Sequence, residues 1–546
     1  MTSGNRNRKT LTKTAGGRKM RKKRRNAKEN TTIADIYGAS SNMRVCIVVE
    51  GCYPYVVGGV SSWVHSLIRQ FPNIDFVLLT LVADRELRGK FVYEMPDNVS
   101  EIREIYLQDV DWVGKKRRRK RKFKLRKKDF DAIRSMIMNE NIDWETVFHF
   151  FAEQKFSINE LLMGNDFLEI VKELYLKRFE NVTFSDFLWS MRSMYLPLFL
   201  CLRTPLPKAD LYHCVATGYA GITGSMAKVL YDGRLLISEH GIYSREREED
   251  IIKASWVEGV YKNVWIEHFK KLSLCAYQLA DNVTSLFEYA RSLQIDLGCP
   301  AEKTMVTPNG IDPDRFANIP GKREEDKGFF NIGAVLRIAP IKDVKTLINA
   351  FYYAKEREPS LRLWIMGPWE EDDPYAKEVF ALVESLKPQD LIFTGRINVT
   401  EYLGRMDATI LSSISEGQPL TILEGFAAKC AAIATNVGNC EGLINGEGDD
   451  KLGPAGLVVD TMSVAGLSDA MVQLARNLEL AKSMGETGYN RLMAKYQLSQ
   501  MKETYRNLYK KMAELSKKSW SENRFIREDI REERLREEQK ALKKEA

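Results

Sequence analysis

The stretch Ser415-Glu-Gly-Gln-Pro-Leu-Thr-Ile-Leu-Glu424 is the most informative segment of this chain. It places two carboxylates, Glu416 and Glu424, on either side of a Gly-Gln-Pro turn. The apolar run from Ala408 to Leu411 precedes the turn, and the apolar residues after it recur at helical spacing. The pattern predicts a buried strand, a turn that carries Glu416, and a helix that carries Glu424 about one turn in.

A helix that begins just after a strand attracts phosphate, because its free N–H groups and its dipole favour negative charge. Carboxylates beside that helix end suit a ligand whose hydroxyl groups lie outside its phosphates. The segment therefore indicates a sugar nucleotide. The alternative is a capped surface helix that carries two solvated Glu side chains.

A second unit of strand, loop and helix carries two cations. The apolar residues 332–336 lead into a loop with Arg337 and Lys342, and a helical pattern follows. In open parallel sheets, ligands bind where such loops leave the carboxyl ends of strands. Arginine offers a planar fork to phosphate oxygens and lysine offers a point charge. The pair is therefore predicted to neutralise a diphosphate.

Two more strand ends carry candidate site residues. The strand pattern at 43–50 leads into a loop with the adjacent glycines Gly58 and Gly59, which allow a backbone to approach a ligand closely. The strand pattern at 235–238 ends at Glu239-His240-Gly. His240 is a candidate ligand contact, and its alternative is a strand-end histidine that bonds a loop carbonyl.

Strands and helices alternate in both halves of the chain. The predicted strands lie at 44–49, 75–82, 211–215, 234–238, 283–286 and 304–307, and then at 330–336, 361–366, 391–394, 408–412, 431–434 and 456–459. This alternation predicts an α/β protein with two Rossmann-like, doubly wound parallel sheets. The cleft between the two domains is the expected binding site.

Composition along the chain predicts its domain boundaries. We expect a basic disordered tail over 1–42, an N-terminal Rossmann-like domain over 43–318 with a helical insertion at 112–205, a polar linker over 319–328, a C-terminal Rossmann-like domain over 329–500 and a helical tail over 501–546. Residues Tyr505, Leu508, Tyr509 and Met512 of the tail have the spacing of a helix face that could pack back onto the N-terminal domain.

The net charge of +8 is concentrated in two segments. Residues 1–30 carry twelve Lys/Arg and one Glu, and residues 115–128 carry twelve Lys/Arg and no acid, so the rest of the chain has about −15. Such runs are commonly solvated. Attraction to an anionic membrane surface is an alternative. Specific nucleic-acid binding is a weaker one, because aromatic residues hardly interleave with the basic ones.

The compartment is predicted from what the sequence lacks. The basic N-terminus is not followed by an apolar signal region, and no run of eighteen apolar residues occurs. The eight cysteines show no Cys-x-x-Cys spacing, which favours reduced core residues. We expect a cytoplasmic protein, and a peripheral position at the inner face of the membrane is the alternative that the basic runs raise.

These motifs, in this order and spacing, resemble the retaining glycosyltransferases of the GT-B fold, sequence family four, with their Glu-x7-Glu signature. The resemblance spans about residues 43 to 500. It rests on Tyr53-Pro-Tyr-Val-Val-Gly-Gly-Val-Ser-Ser-Trp-Val-His65, Glu239-His-Gly-Ile-Tyr-Ser-Arg-Glu-Arg247, Thr307-Pro-Asn-Gly-Ile-Asp312, Pro340-Ile-Lys-Asp343, Thr394-Gly-Arg396 and Ser413 to Ala428.

The resemblance implies roles for the candidate residues. Glu424 would accept hydrogen bonds from the ribose, and His240 and Glu416 would act at the donor sugar as the catalytic pair. The remaining donor-binding residues would be Gly58, Gly59, Arg337, Lys342, Gly417, Gln418, Leu420 and Thr421. The N-terminal domain would face the acceptor, and the C-terminal domain would bind the nucleotide sugar.

The resemblance further implies substrates and partners. The donor would be a UDP-sugar, with UDP-glucose expected, and the acceptor a growing exopolysaccharide. Membrane components of a synthesis complex would be partners, and no specific nucleic acid is expected. Attack on the same face as the leaving group would retain the anomeric configuration.

No cofactor or metal is predicted. Asp109-Val-Asp111 has no clean strand before it, and Asp312-Pro-Asp314 follows a hinge, so neither is expected to hold a metal. Fixed cations and a helix end supply positive potential without one. Two other function classes stay open: a UDP-sugar epimerase of the same fold, and a non-catalytic protein that binds a membrane surface or nucleic acid.

Overall fold

The computed structural model describes residues 42–108, 123–370, 373–523 and 525. Two parallel sheets organise them. The N-terminal sheet has the strand order β3-β2-β1-β4-β5-β6-β7. Its strands are β1 (Arg44–Glu50), β2 (Asp75–Val82), β3 (Val99–Tyr106), β4 (Leu211–Cys214), β5 (Arg234–Ser238), β6 (Asn282–Ser285) and β7 (Thr304–Val306).

The C-terminal sheet has the strand order β10-β9-β8-β11-β12-β13. Its strands are β8 (Phe330–Val335), β9 (Leu361–Met366), β10 (Leu391–Gly395), β11 (Ala408–Leu411), β12 (Ala431–Thr435) and β13 (Gly456–Val459). In both sheets the order reverses beside the first strand, which is the doubly wound arrangement that opens a crevice at the carboxyl edge.

Helices cover both sheets. In the N-terminal half they are α1 (Gly59–Gln70), α2 (Lys127–Met138), α3 (Trp144–Glu153), α4 (Ile158–Leu162), α5 (Asn165–Arg178), α6 (Phe184–Arg203), α7 (Tyr219–Tyr231), α8 (Tyr243–Lys253), α9 (Val260–Leu279) and α10 (Glu288–Asp296). The later ones are α11 (Val344–Arg357), α12 (Pro374–Leu386), α13 (Leu420–Ala427), α14 (Cys440–Asn445), α15 (Val464–Arg476), α16 (Leu478–Lys495) and α17 (Leu498–Leu515). Among the described residues, none of these helices combines the length and the apolarity needed to cross a bilayer.

The predicted fold class is confirmed, and the predicted strands agree with the observed ones to within about a residue. Strand β3 was not predicted, so the expectation that no strand precedes Asp109 is wrong. This strand lies at the edge of the sheet. Only two of its residues are buried, and several of the others, such as Glu101 and Arg103, are charged. An edge strand has one solvated side, so its apolar signal is weak.

Strand β1 separates two apolar cores, because successive side chains point to opposite faces. Cys46 and Val48 join a core that contains the helical insertion, α2 to α6. Val45 and Ile47 join a core on the other face, with α1 and α17. The C-terminal helix thus packs on the N-terminal sheet through the expected side chains, all buried: Tyr505, Leu508, Tyr509 and Met512.

The expected linker, 319–328, is partly packed against the C-terminal domain. Asp326 is fully buried and forms an ion pair with Arg405, with Oδ2 2.8 Å from Nε. The predicted tail 1–42 lies outside the described residues except for Asn42. Residues 115–122 of the second basic run and residues 526–546 of the C-terminal tail also lie outside them.

Candidate active site between the two sheets

An ion pair joins the two loops that the sequence singled out. The Nζ atom of Lys342, after β8, lies 2.5 Å from Oε1 of Glu416, in the turn before α13. The Ser413 hydroxyl donates to the same carboxylate oxygen at 2.6 Å. Strands β8 and β11 are neighbours in the sheet, and the loops that follow them leave from the same carboxyl edge. A cation and a carboxylate that are far apart in sequence are thereby brought into contact.

Arg337 lies on the same loop as Lys342, and Glu424 lies on the helix that follows the Glu416 turn. Arg337 is exposed on the loop after β8 and has no ion pair within the described part of the chain. Glu424 is the fifth residue of α13 and is half-buried. Burial raises the pKa of its carboxyl to about 7, and the nearby Arg315 charge opposes part of that rise. This carboxyl therefore changes charge near neutral pH.

The turn before α13 touches the N-terminal domain. A Cβ atom on Gly417 would lie 2.3 Å from the carbonyl oxygen of His240, so only glycine fits there. The backbone N–H of Asn309 donates to Oε1 of Gln418 at 2.6 Å. Gly417 and the Gln418 side chain therefore join the two domains.

Helix α13 starts without a side-chain cap. Its N-cap residue is Pro419, and Leu420 and Thr421 in its first turn are half-buried. The first N–H groups of a helix have no partner inside the helix. The start of α13 therefore offers donors beside Glu416.

Gly58 and Gly59 form the start of α1. A Cβ atom on either would have no neighbour within 4 Å. The φ angle of Gly58 is −175°, which any residue adopts. Neither packing nor backbone conformation in the described protein explains the two glycines, whereas close approach by a ligand would.

His240 follows β5 and is half-buried. Its imidazole meets the indole of Trp63 edge to face, with ring centroids 4.4 Å apart. Its Nε2 atom is buried and has no hydrogen-bond partner among the described residues. Burial lowers the pKa of His240 to about 4, so the ring is neutral at neutral pH.

Two carboxylates at strand ends were not selected from the sequence, the buried Glu239 and the half-buried Glu50. Glu239, just before His240, accepts hydrogen bonds from Thr217, Tyr277 and Gln294 at 2.6–2.9 Å. Glu50, at the end of β1, accepts from the Tyr243 hydroxyl at 2.8 Å. The signal available for both was an acidic residue that ends an apolar strand pattern.

The glycine turn after β4 has a packing explanation. A Cβ atom on Gly218 would lie 2.0 Å from the ring of Tyr243. Of the two Asp-x-Asp candidates, Asp312 caps a turn by accepting from the N–H of Asp314 at 3.1 Å. Asp109-Val-Asp111 lies outside the described residues.

A large cavity of about 1210 Å³ lies elsewhere, at the amino edge of the N-terminal sheet. Its lining includes Arg44 and Asp75, which form an ion pair at 2.8 Å, and Lys518 with Asp210 at 3.3 Å. None of the predicted site residues lines it. The convergence of side chains at the carboxyl edges, rather than cavity size, marks the candidate site.

Two Rossmann-like domains whose carboxyl-edge loops meet define the GT-B architecture of glycosyltransferases. Comparison of the sequence with family models supports the class for the second domain: residues 315–491 match the family "Glycosyl transferases group 1". Residues 43–302 match a family described as "Domain of unknown function (DUF3492)". The chain therefore carries a group 1 glycosyltransferase domain after an N-terminal domain of a separate family.

Curated relatives are similar over part of their length. A GDP-mannose-dependent alpha-(1-6)-phosphatidylinositol monomannoside mannosyltransferase of Mycobacterium tuberculosis is 27% identical over 225 residues, which are 38% of this chain and 56% of that protein. An exopolysaccharide phosphotransferase of Streptomyces coelicolor is 30% identical over 225 residues, 40% of this chain and 22% of that protein. The chain thus spans about half the length, or less, of these relatives.

Among solved structures, Anabaena HepE in complex with UDP has the same fold. It superposes with a TM-score of 0.55 at 12% sequence identity, covering 86% of this chain and 100% of that one. At this identity the likeness establishes the architecture.

Proposed function

We propose that the protein is a retaining, metal-independent glycosyltransferase that moves a hexose from a UDP-sugar, UDP-glucose in the first instance, to a growing polysaccharide. One observation carries the proposal: His240 of one domain lies against the turn of the other domain that holds Glu416 and its partner Lys342. Residues from both domains thus meet at one place, as transfer between a donor and an acceptor requires.

The leaving group is a nucleoside diphosphate, whose charge grows as the glycosidic bond breaks. Lys342, Arg337 and the uncapped start of α13 provide positive potential at this edge of the sheet, and the Lys342 ammonium and the helix start are held in place. Such preorganised charge stabilises a developing anion without reorganising at the moment of reaction. Lys342 would exchange Glu416 for the phosphate when the donor binds.

The donor sugar would lie between His240 and Glu416. Neutral His240 has an unpaired, buried Nε2 atom that can bond a sugar hydroxyl. Glu416 can accept from hydroxyls once Lys342 turns to phosphate, and Glu424 can accept from the ribose. Gly58 and Gly59 leave room for the phosphates and the acceptor.

In the proposed reaction, the bond from the anomeric carbon to the diphosphate oxygen breaks, and its electron pair leaves with the diphosphate. The acceptor hydroxyl oxygen forms the new bond on the same face, and its proton passes to the leaving phosphate. Hydrolytic retention by two facing carboxylates is a different arrangement. Glu416 and Glu424 both lie on one turn–helix unit and do not flank a sugar from opposite sides.

The choice of nucleotide and acceptor rests on motif resemblance. The motifs resemble those of the cytoplasmic glycosyltransferase of Pel exopolysaccharide synthesis, PelF, and one curated relative is named an exopolysaccharide phosphotransferase. The mycobacterial relative is named for GDP-mannose, so the nucleotide needs a direct test. Partners would be membrane components of an exopolysaccharide synthesis complex.

Calorimetry with UDP-glucose, UDP-galactose, UDP-N-acetylglucosamine and GDP-mannose, each measured with and without excess chelator, tests the donor and metal independence together. We expect a UDP-sugar to bind with equal affinity with and without chelator. Binding of GDP-mannose alone would overturn the UDP assignment. NMR of the protein with UDP-glucose alone tests the alternative, since a new epimer would identify an epimerase.

A further inference from the structure

Trp63 lies behind the imidazole of His240. It is on α1, four residues after Gly59, and is 7% exposed. The indole and imidazole rings meet at an interplanar angle of 68° with centroids 4.4 Å apart. Edge-to-face packing of aromatic rings is favourable beyond the area it buries.

Packing, not hydrogen bonding, holds the His240 ring. Within the described residues, no side chain or backbone group forms a hydrogen bond with its Nε2 atom, although that atom is buried. A buried polar atom without a partner is uncommon and needs an explanation. A free Nε2 is available to a ligand, but the ring then depends on its neighbours for its orientation.

Trp63 is itself held from the far side. The ring of Tyr505, on α17, lies 5.4 Å from the indole at 68°. The ring of His213, on β4, lies 6.0 Å away at 89°. The indole therefore lies between the imidazole of the candidate site and two buried rings.

Hydrogen bonds fix those two rings. The Tyr505 hydroxyl lies 2.9 Å from Oγ of Ser238 and 3.2 Å from Oγ1 of Thr284. His213 Nε2 lies 2.8 Å from the same Ser238 oxygen, and its Nδ1 lies 2.8 Å from the Tyr509 hydroxyl. The middle of the C-terminal helix thus contributes two tyrosines to a buried polar network next to Trp63.

We propose that Trp63 is a positioning residue that holds the His240 imidazole in its orientation toward the donor, and that Tyr505 of the C-terminal helix secures Trp63 from behind. The inference rests on the proposed function in one respect: His240 must contact the donor sugar for the orientation to affect transfer. The contact between the two rings can be tested without activity.

The test compares Trp63→Leu with Phe71→Leu in the full chain. Phe71 belongs to the same core and packs against Tyr509, with centroids 5.1 Å apart, so its variant loses aromatic packing on α17 away from His240. The readouts are the His240 titration by NMR of ring-labelled histidine, and kcat and KM for the donor. With five histidines in the chain, the spectrum of His240→Gln assigns the signal.

Burial sets the direction of the titration. The pKa of His240 is about 4 because the ring is desolvated. The other titratable groups around it are His213 and Tyr505 behind the indole, Glu239 beside it in sequence, and Glu416 with Lys342 across the domains. Loss of the indole admits water, so in Trp63→Leu the pKa should rise by about one unit or more toward the ordinary value near 6.5.

We expect kcat to fall about tenfold to a hundredfold in Trp63→Leu, because small misplacements of a reacting group cost that much. The KM of Trp63→Leu for the donor should stay close to the wild-type value. The His240 titration in Phe71→Leu should also match that of the wild type. Trp63→Phe keeps a ring and should restore most of the turnover. If Trp63→Leu does not fold, Trp63→Phe is measured in its place. In that variant the pKa of His240 should also rise, but by less.

A wild-type His240 titration in Trp63→Leu, or in Trp63→Phe if only that folds, would overturn the proposal. So would an equal shift in Phe71→Leu. If His240→Gln transfers sugar at the wild-type rate, the proposed role of His240 fails instead, while the titration still reports whether Trp63 positions the ring.

Discussion

Lys342 and Glu416 form a partly buried ion pair, with Nζ 2.5 Å from Oε1 and side chains 25% and 12% exposed. The pair joins the loop after β8 to the turn before α13. In the proposed function, Lys342 would bind the diphosphate of the donor, and Glu416 would exchange its lysine partner for hydroxyls of the donor sugar.

The two cations of the C-terminal domain should matter for turnover more than for folding. Lys342→Ala or Arg337→Ala should lower kcat about 10²–10³-fold, because each removes a fixed charge from the developing phosphate anion. Melting temperature should change little, since both lie in a loop. Lys345→Ala, which removes an exposed pair with Glu378, is the control. Near-normal turnover in both variants would contradict the assignment.

Glu416→Gln should separate binding from transfer. Transfer should fall by about 10²-fold or more, whereas UDP should bind at least as tightly, because Lys342 is released from its carboxylate partner. Ser413→Ala keeps the carboxylate but loses its hydrogen bond, and should cost about tenfold. Calorimetry with UDP and initial rates with the donor measure the two effects. Weaker UDP binding in Glu416→Gln would contradict this account, because it would mean that the carboxylate itself binds the nucleotide.

Donor affinity should depend on pH through Glu424. Its pKa is raised to about 7 by burial, and the ionised carboxylate accepts hydroxyl hydrogen bonds more strongly. Affinity for UDP-glucose, which does not itself titrate in this range, should therefore rise as pH increases from 5 to 7, by up to about tenfold per unit, and then level off.

The pH effect should disappear in Glu424→Gln. The exposed Glu441→Gln, in the helix after the next strand, should keep it. Calorimetry across pH 5–8 measures both variants. An equal slope in wild type and Glu424→Gln would assign the titration to another group.

The buried pair of Asp326 and Arg405 should support folding. Asp326→Asn leaves the 3% exposed guanidinium without its main partner and should lower the free energy of unfolding by about 3 kcal/mol. Asp469→Asn, which loses an exposed pair with Arg357, should change it by less than about 1 kcal/mol. Denaturant melts measure both.

Acid should weaken the same pair. Hydrogen bonds from Arg405 lower the pKa of Asp326 to about 2. Its contribution is therefore present above the unfolded value near 3.9 and is lost as pH falls toward 2. If Asp326→Asn and wild type differ by the same amount at pH 2 as at pH 6, the linkage is wrong.

The basic runs should not affect donor binding. Deleting residues 1–30, together with Lys/Arg→Gln changes in 115–128 that spare Arg126 and its pair with Asp129, should leave UDP-sugar affinity unchanged. In vesicle sedimentation we expect the altered and intact proteins to partition equally. Stronger binding of the intact protein to anionic vesicles at low salt than at high salt would instead show surface attraction, which salt screens within about 8–10 Å.

The two parallel sheets and the ends of most strands follow from the amino-acid sequence alone. Buried parallel strands are continuous apolar runs, and loops with polar residues mark where they stop. The same reasoning selected Arg337, Lys342, Glu416 and His240, because functional side chains follow the carboxyl ends of strands. Strand β3 was not predicted, because an edge strand with one solvated face lacks a continuous apolar run.

Which of these residues meet depends on tertiary packing within and between the two domains. The Lys342–Glu416 pair, the fit of Gly417 against the His240 carbonyl, and Trp63 between His240 and Tyr505 each join segments far apart in the chain. Local patterns specify elements, because propensity and amphipathicity act over a few residues. Distances across two domains depend on how the elements pack, which no single stretch of sequence encodes.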